Sequence, residues 1–277
     1  MAGLDLPTGE LATFALAIAA SGVVSGLMAG IFGIGGGAVL VPVFYQVFGL
    51  LGVDEAVRMH LSVGSSLAII IPTSIRSFTG HQARGAVDME LLKSFLIAIP
   101  AGVVLASLTA AYLSSEGLRT IFAAITLLVA FRLLFNRESW RLGSEIPGNP
   151  VRSVIGVLMG YFSTLMGIGG GVMNNTFMTL FGRPMHQAVA TSSGVGVMIA
   201  IPGTIGYVWA GWGNPLLPIA STGFINWIAV ALVIPIALIV TPYGVRIAHA
   251  LSKRQLEIGF GLFCVIVSIR FVISLMD

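Results

Sequence analysis

The stretch GVVSGLMAGIFGIGGGAVLVP, residues 22–42, occurs a second time as GVLMGYFSTLMGIGGGVMNNT, residues 156–176. The two copies align without a gap at an offset of about 134 residues, from Gly35 to Gly169. In each copy an apolar run meets the glycine cluster GIGGG, and a second apolar run follows. This internal repeat predicts a chain of two similar halves, each with a glycine-rich break in a hydrophobic helix.

The composition is that of a polytopic membrane protein. Hydrophobic residues make up 56% of the 277 residues and charged residues only 9%, with a mean hydropathy of +0.99, whereas soluble domains carry about 25% charged residues. Apolar stretches of about 20 residues can cross a hydrocarbon core of about 30 Å as helices. The pattern of alternating short segments typical of a membrane β-barrel is absent. The sequence therefore predicts an all-α protein of the lipid bilayer, with no nucleic-acid partner.

Two further features concern processing and cofactors. Residues 1–10 lack the basic start and the cleavage site of a signal peptide, so we expect the first apolar run to remain in the membrane. The single cysteine, Cys264, excludes a disulfide framework within the chain and a multi-cysteine metal cluster. We expect no metal and no cofactor.

Five apolar helical segments are predicted in each half. In the first repeat, residues 1–135, they are 11–32, 38–51, 56–78, 91–113 and 118–135. In the second repeat, residues 151–277, they are 151–166, 172–181, 186–210, 224–247 and 256–275. The polar stretch 136–150 is expected to be a cytoplasmic linker between the two repeats.

The odd number of segments predicts that the two repeats are inverted relative to each other, as in many secondary transporters. Matching residues extend beyond the glycine clusters, since Pro72 corresponds to Pro202 and Arg132 to Arg270. Residues 172–181 would extend only about 15 Å as a helix. This length favours a hairpin or a broken helix over two full crossings, at least in the second copy.

Basic residues give an independent indication of the topology. With both termini outside, only Arg58 and Arg119 fall in outer loops, as expected if inner loops carry most of the positive charge. The residues assigned to the inner side are Arg84, Lys93, Arg137, Arg141, Arg152, Arg183, Arg246, Lys253 and Arg254. We therefore expect a multi-pass protein of the cell inner membrane with both termini outside.

The two glycine clusters are the predicted binding site. We expect the breaks to approach each other near the membrane midplane, so that the helix N-termini behind them, with free N–H groups and a positive dipole end, face a cavity suited to an anion. A dinucleotide fingerprint is rejected because it requires a preceding strand. For the earlier glycines, such as Gly22 and Gly26, close helix packing is the favoured role.

Polar residues after the breaks complete the predicted site, because such residues are costly in lipid and should face a cavity or another helix. The candidate substrate-binding residues are Gly33, Gly35, Gly36, Gly37, Ser62, Arg76, Gly167, Gly169, Gly170, Gly171, Asn174, Asn175, Thr191 and Ser192. For the hydroxyls the alternative is interhelical hydrogen bonding, and for Arg76 it is snorkelling to the interface. His60 is the candidate proton-coupling group, because no carboxylate lies deep in a predicted span.

The motif GxxGIGGG at residues 30–37, repeated at 164–171 with Thr164 for the first glycine, resembles the TauE/SafE sulfite exporter family. The helix starts that follow, Ala56-Val57 with Ser62 and Ala188-Val189 with Ser192, extend the likeness over nearly the whole chain. The resemblance implies an inner-membrane permease that exports small anions such as sulfite, sulfoacetate or related organosulfonates.

The expected mechanism is alternating access by rocking of the two halves. An anion channel, or a structural membrane subunit without transport of its own, is the alternative. An intramembrane enzyme is disfavoured, because HExxH, paired buried aspartates and a GxSG serine are all missing from the sequence. A homo-oligomer is compatible with the sequence, and the exact anion, the direction of transport and its coupling to protons or sodium stay open.

Overall fold

The computed structural model describes residues 8–33, 35–135 and 141–276 of the chain. Ile34 of the first glycine cluster and Arg137 and Glu138 of the linker lie outside this part. The described helices are α1 (Thr8–Phe32), α2 (Gly37–Leu50), α3 (Glu55–Gln82), α4 (Met89–Ser94), α5 (Ala98–Ala110), α6 (Ser115–Leu134), α7 (Val151–Met166), α8 (Gly171–Leu180), α9 (Met185–Ala210), α10 (Trp227–Ala250) and α11 (Lys253–Met276). A short antiparallel pair, β1 (Ser221–Thr222) and β2 (Ile225–Asn226), lies between α9 and α10.

The long helices are those of a multi-pass membrane protein. In the described part of the chain, α3, α6, α9, α10 and most of α11 are long and apolar enough to cross a bilayer. The helices behind the glycine clusters are shorter, with 14 residues in α2 and 10 in α8. At about 1.5 Å per residue these extend about 21 Å and 15 Å. Neither length crosses a hydrocarbon core of about 30 Å unless the bilayer thins around the helix.

The predicted segment 91–113 is wrong as a single helix. The structure divides it into α4 and α5, with a turn at residues 95–97. Pro100, near the start of α5, has no N–H to donate to the carbonyl of Leu96, and a proline ring clashes with that carbonyl in a continuous helix. The matched Pro235 lies inside the unbroken α10, so the repeat gave no sign of this division.

The predicted segment 224–247 also begins too early. Residues 221–226 form the β1–β2 pair, and the Asn226 side chain caps α10 by accepting a hydrogen bond from the amide of Ala229 at 3.1 Å. The backbone amide of Asn226 donates to Ser65 Oγ at 2.9 Å, which ties the hairpin to α3. A small strand pair is thus added to the predicted all-α architecture.

The two halves are interleaved through their first helices. α1 packs along α10 of the second half, with Gly22 against Val233 and Gly30 against Val245, so the two helices run parallel. α7 packs along α5 of the first half, also in parallel, with Gly160 against Ile99. Each half therefore contributes its opening helix to the packing of the other.

The matched long helices pack on each other in antiparallel fashion. α3 crosses α9 with Leu67 near Gly203 and Ser74 near Gly196. α6 crosses α11, and Thr126 Oγ1 lies 2.7 Å from Ser268 Oγ within that pair. Within each of these two pairs the helices therefore point in opposite directions.

Gly26 allows α1 to lie close to the backbone of α10, and a methyl group there is expected to destabilise the protein. A Cβ on Gly26 would lie 2.6 Å from the carbonyl oxygen of Ala237. Because overpacking of this kind costs about 1–3 kcal/mol, we expect Gly26→Ala to lower the Tm of the detergent-solubilised protein by several degrees in a fluorescence-detected melting assay. Gly259→Ala is the control, since its Cβ would meet only Phe32 Cζ at 3.7 Å; equal Tm losses in both variants would contradict this packing.

Candidate functional site

The two glycine breaks have nearly the same backbone conformation. The φ angles at the matched positions are 64° for Gly33 and 66° for Gly167, 65° for Gly35 and 68° for Gly169, and 82° for Gly36 and 79° for Gly170. Left-handed angles of this kind are readily adopted only by glycine. The repeated GIGGG motif therefore encodes the same chain reversal twice.

Each break ends at the N-terminus of a helix without a side-chain cap. α2 begins after Gly36 and α8 after Gly170, and neither N-cap residue offers a side-chain hydrogen bond. The first N–H groups of an α-helix have no partner within the helix, and the aligned peptide dipoles place partial positive charge there. Both breaks thus present N–H donors and a positive field.

The two breaks are in contact. A Cβ on Gly37 would overlap the carbonyl oxygen of Gly167, so the start of α2 touches the end of α7. Ser66 of α3 donates its hydroxyl to the same carbonyl of Gly167 at 2.9 Å. Thr73 of α3 donates to the carbonyl of Gly35 at 3.0 Å. The carbonyl groups of Gly167 and Gly35 are therefore held by α3, and no hydrogen bond among the described residues engages the first two N–H groups of α2 or of α8.

A buried chain of hydrogen bonds connects α8, α9 and the end of α1. Asn174 Nδ2 donates to Ser192 Oγ at 2.8 Å, and Ser192 Oγ donates to Asn175 Oδ1 at 2.7 Å. Asn175 Nδ2 donates to the carbonyl of Phe32, beside the first break, at 2.9 Å. All three side chains are at most 1% exposed. This network fixes the second break's helix against the first break.

Three polar atoms near the breaks have no hydrogen-bond partner among the described residues: Asn174 Oδ1, Ser25 Oγ and Ser74 Oγ. All three residues are fully buried. A Cβ on Gly35 would lie 2.8 Å from Ser74 Oγ, and one on Gly36 would overlap Ser25 Oγ, so both hydroxyls border the first break. Buried polar groups are normally paired, which makes these atoms candidates for contact with a ligand.

Ser25 and Ser74 were missed by the sequence analysis. A signal existed in the repeat, because Ser74 follows Pro72 by two residues as Thr204 follows Pro202. The Thr204 hydroxyl is likewise buried without a partner in the described part of the chain. The matched hydroxyls could have identified Ser74 and Thr204, whereas Ser25 corresponds to Met159 and gave no such signal.

Ser62 and Thr191 use their hydroxyls away from the breaks. Ser62 Oγ donates to the carbonyl of Arg58 one turn earlier in α3, at 2.8 Å. Thr191 Oγ1 accepts a hydrogen bond from the backbone amide of Asp88 at 2.9 Å and so fastens α9 to the turn before α4. Their described hydrogen bonds are structural.

His60 and Arg76 also lie apart from the breaks. His60 Nε2 is 3.0 Å from the carbonyl oxygen of Ala110, and its ring lies 4.9 Å from that of Phe224. Arg76 is exposed in a groove between α3 and α10. The structure therefore brings together the glycines, Asn174, Asn175 and Ser192 of the predicted site, and separates four other predicted residues from them.

Comparison with known proteins agrees with a transport protein. The model of the sulfite exporter TauE/SafE family matches residues 18–271. A probable membrane transporter protein of Haemophilus influenzae is 31% identical over 93% of this chain and 98% of its own length. Probable membrane transporter proteins of Methanocaldococcus jannaschii and Bacillus subtilis are 26% and 22% identical, over 86% and 84% of this chain and 87% of their own lengths. No solved structure matches the chain.

The match covers both glycine breaks, the network between them, the helices α3, α6, α9 and α10, and most of α11. It also agrees with the bilayer-crossing helices of an all-α multi-pass protein. The chain therefore belongs to the TauE/SafE sulfite exporter family of membrane transporters.

Proposed function

We propose that this transporter carries small sulfur-containing oxyanions, such as sulfite, sulfoacetate or related organosulfonates, through a site between the two glycine breaks. The observation that carries the proposal is the contact of Gly37 with Gly167, because it places the uncapped N-terminus of α2 against the break that leads into the uncapped N-terminus of α8. The description of the matching family as sulfite exporters supports the choice of anion. Helix N-termini are ready-made sites for oxyanions.

The chemistry of the proposed site relies on neutral donors. The N–H groups at the starts of α2 and α8, together with the hydroxyls of Ser25 and Ser74, would each donate to one oxygen of the anion. Asn174 uses its Nδ2 on Ser192, and its free Oδ1 can only accept a hydrogen bond, so Asn174 would contact a protonated group of the substrate. Because no fixed positive side chain holds the anion, release does not require breaking a buried ion pair. Ser62, Thr191 and Arg76 are left out of this site.

We infer alternating access from the arrangement of the halves. The antiparallel packing of α3 on α9 and of α6 on α11 is what a twofold axis in the membrane plane produces, which supports an inverted repeat. The buried network of Asn174, Asn175 and Ser192 is closed to solvent in this structure. Opening toward either face would then come from equivalent movements of the two halves.

Energetics favour outward movement in a cell that is negative inside. An anion leaving such a cell gains about 2.3 kcal/mol per charge per 100 mV, so export requires no coupled ion. We propose that export is uniport. In the proposed topology both termini lie on the outer side of the inner membrane. His60 stays the candidate for proton coupling if export proves to depend on a proton gradient.

The test is the electrogenic current of purified protein in proteoliposomes on a solid-supported membrane. Sulfite, sulfoacetate, taurine, sulfate and chloride are applied in turn to matched samples. The proposal expects a current for sulfite or a sulfonate that exceeds the chloride current at equal ionic strength. Equal currents for every anion would indicate an unselective channel and contradict the proposal.

Ser74→Ala separates a binding role from a structural one. Because Ser74 Oγ has no described partner, its removal breaks no hydrogen bond, and we expect a Tm within about 1 °C of the wild type. Loss of a donor to the anion should lower sulfite transport about tenfold or more, since one hydrogen bond to a charged group contributes about 1.5–3 kcal/mol. Melting and initial uptake rates check both parts; unchanged uptake would remove Ser74 from the site.

A further inference from the structure

The groove between the ends of α3 and α10 holds three arginines that the proposed transport site does not use. Arg76, Arg84 and Arg246 line an open cavity of about 280 Å³. The other lining residues are Thr79, Gly80, Pro242 and Val245, so the described lining contains no acidic side chain.

The three guanidinium groups have donors to spare. Arg84 Nη1 donates to the carbonyl of Gly80 at 3.1 Å, and the Arg246 guanidinium lies 5.7 Å from the centre of the Tyr243 ring. The ion pairs described for the chain are Arg119 with Glu55 and Arg254 with Glu257, and neither involves this groove. Each guanidinium offers five N–H donors. Three neighbouring positive charges with unused donors favour an anionic ligand.

The rim of the groove is apolar and faces outward. Ile75 precedes Arg76 and is 44% exposed, while Tyr243 and Ile247 flank Arg246 and are 56% and 40% exposed. Since α3 and α10 are both long enough to cross a bilayer, outward apolar side chains at this level meet lipid. The groove thus has positively charged side chains at its base and apolar, lipid-facing side chains at its edge. This combination suits a ligand with an anionic head and an apolar body.

We propose that this groove binds the phosphodiester headgroup of an anionic phospholipid, with its acyl chains along Ile75 and Ile247. Guanidinium groups pair with phosphate oxygens in a bidentate manner, and basic pockets between helix ends bind such headgroups. In the proposed orientation this end of the bundle is the inner face, where anionic lipid is available.

A bound headgroup would tighten a junction close to the first break. His81 Nδ1 of α3 lies 3.1 Å from His249 Nε2 of α10, and His81 Nε2 lies 3.2 Å from the carbonyl oxygen of Gly30 in α1. Val245 of α10 packs 3.5 Å from the position of a Cβ on Gly80. A phosphate shared by Arg76 and Arg246 would add a link between the same two helices and stabilise the closed arrangement.

The test is lipid-dependent thermal stability, with native mass spectrometry of the same delipidated, detergent-solubilised protein. The probes are dioleoyl phosphatidylglycerol, dioleoyl phosphatidylcholine, inorganic phosphate and sulfite, at matched ionic strength. The variant is Arg76→Gln/Arg84→Gln/Arg246→Gln. The matched control is Lys93→Gln/Arg141→Gln/Arg183→Gln, which removes three exposed charges elsewhere.

Phosphatidylglycerol is expected to raise the Tm of the wild type and of the control by about 5 °C and to stay bound in the mass spectrometer, with neither effect in the groove variant. Phosphatidylcholine and phosphate are expected to leave the Tm unchanged, and any rise with sulfite, which would come from the transport site, is expected to be equal in the wild type and the groove variant. An equal rise with phosphatidylcholine, or a rise retained in the groove variant, would overturn the proposal. An arginine-dependent rise with phosphate or sulfite alone would overturn the lipid as the occupant and assign the groove to a soluble anion.

Discussion

Gly37→Ala is expected to abolish transport and to weaken the fold. The added methyl group would overlap the carbonyl oxygen of Gly167 and lie 2.7 Å from Ile70 Cδ1 and 2.9 Å from Ser66 Oγ. The overlapped atom belongs to the backbone of a buried break, so it cannot move aside as the end of a flexible side chain could. Relief requires separating α2 from α7, at a cost of about 1–3 kcal/mol or more. We expect sulfite uptake to fall at least about tenfold and Tm to fall by several degrees.

The control for this variant is Gly148→Ala. A Cβ on Gly148 has nothing within 4 Å, and its φ lies outside the left-handed region, so the same chemical change is made without steric overlap. Uptake into proteoliposomes and Tm are measured for both variants at equal protein density. Wild-type uptake by Gly37→Ala would show that the two breaks need not touch during transport, and would contradict the proposed site.

Ser192→Ala is expected to have the second large effect. Ser192 Oγ both accepts from Asn174 and donates to Asn175, so its loss leaves a buried amide oxygen and a buried amide N–H without that partner. Each unsatisfied group costs about 1–3 kcal/mol. The asparagines would then be free to turn away from the breaks, and we expect sulfite uptake to fall at least about tenfold, together with a lower Tm.

Ser62→Ala is the matched control for Ser192→Ala. Ser62 occupies the equivalent place in α3, at the offset from Pro72 to Pro202, and is equally buried. Among the described residues its hydroxyl bonds only to the carbonyl of Arg58 in its own helix, a bond that contributes little to stability. Near-wild-type uptake is expected for Ser62→Ala. Comparable losses in the two variants would mean that burial of a serine, rather than the network around Ser192, sets the effect.

The glycine breaks could be predicted because their backbone conformation restricts the residue type to glycine, which the sequence shows directly. A left-handed backbone in a buried place requires glycine, so positions such as Gly33 and Gly167 had to carry it in both halves. The division of residues 91–113 was missed for a related reason. Pro100 follows a break between two helices in one half while Pro235 is accommodated within α10, and local sequence does not reveal which packing surrounds a proline.

The packing of the halves and the state of single hydroxyls could not be predicted. Apolar helix faces resemble one another, so nothing in the sequence pairs α1 with α10 rather than with a helix of its own half. Serine hydroxyls can bond within a helix, across to another helix or to a ligand, and the sequence is the same in each case. Ser62, Ser66 and Ser74 of α3 show the three outcomes: an intrahelical bond, a bond to Gly167, and no described partner.

The most direct test of a carrier with its site between the breaks is counterflow of radiolabelled sulfite in proteoliposomes. Vesicles loaded with unlabelled sulfite are diluted into a trace of labelled sulfite, with the membrane potential clamped to zero. We expect transient accumulation of label above equilibrium for the wild type and for Ser62→Ala, and none for Ser192→Ala. Equilibration without overshoot would identify a channel. An overshoot retained by Ser192→Ala would contradict the proposed site.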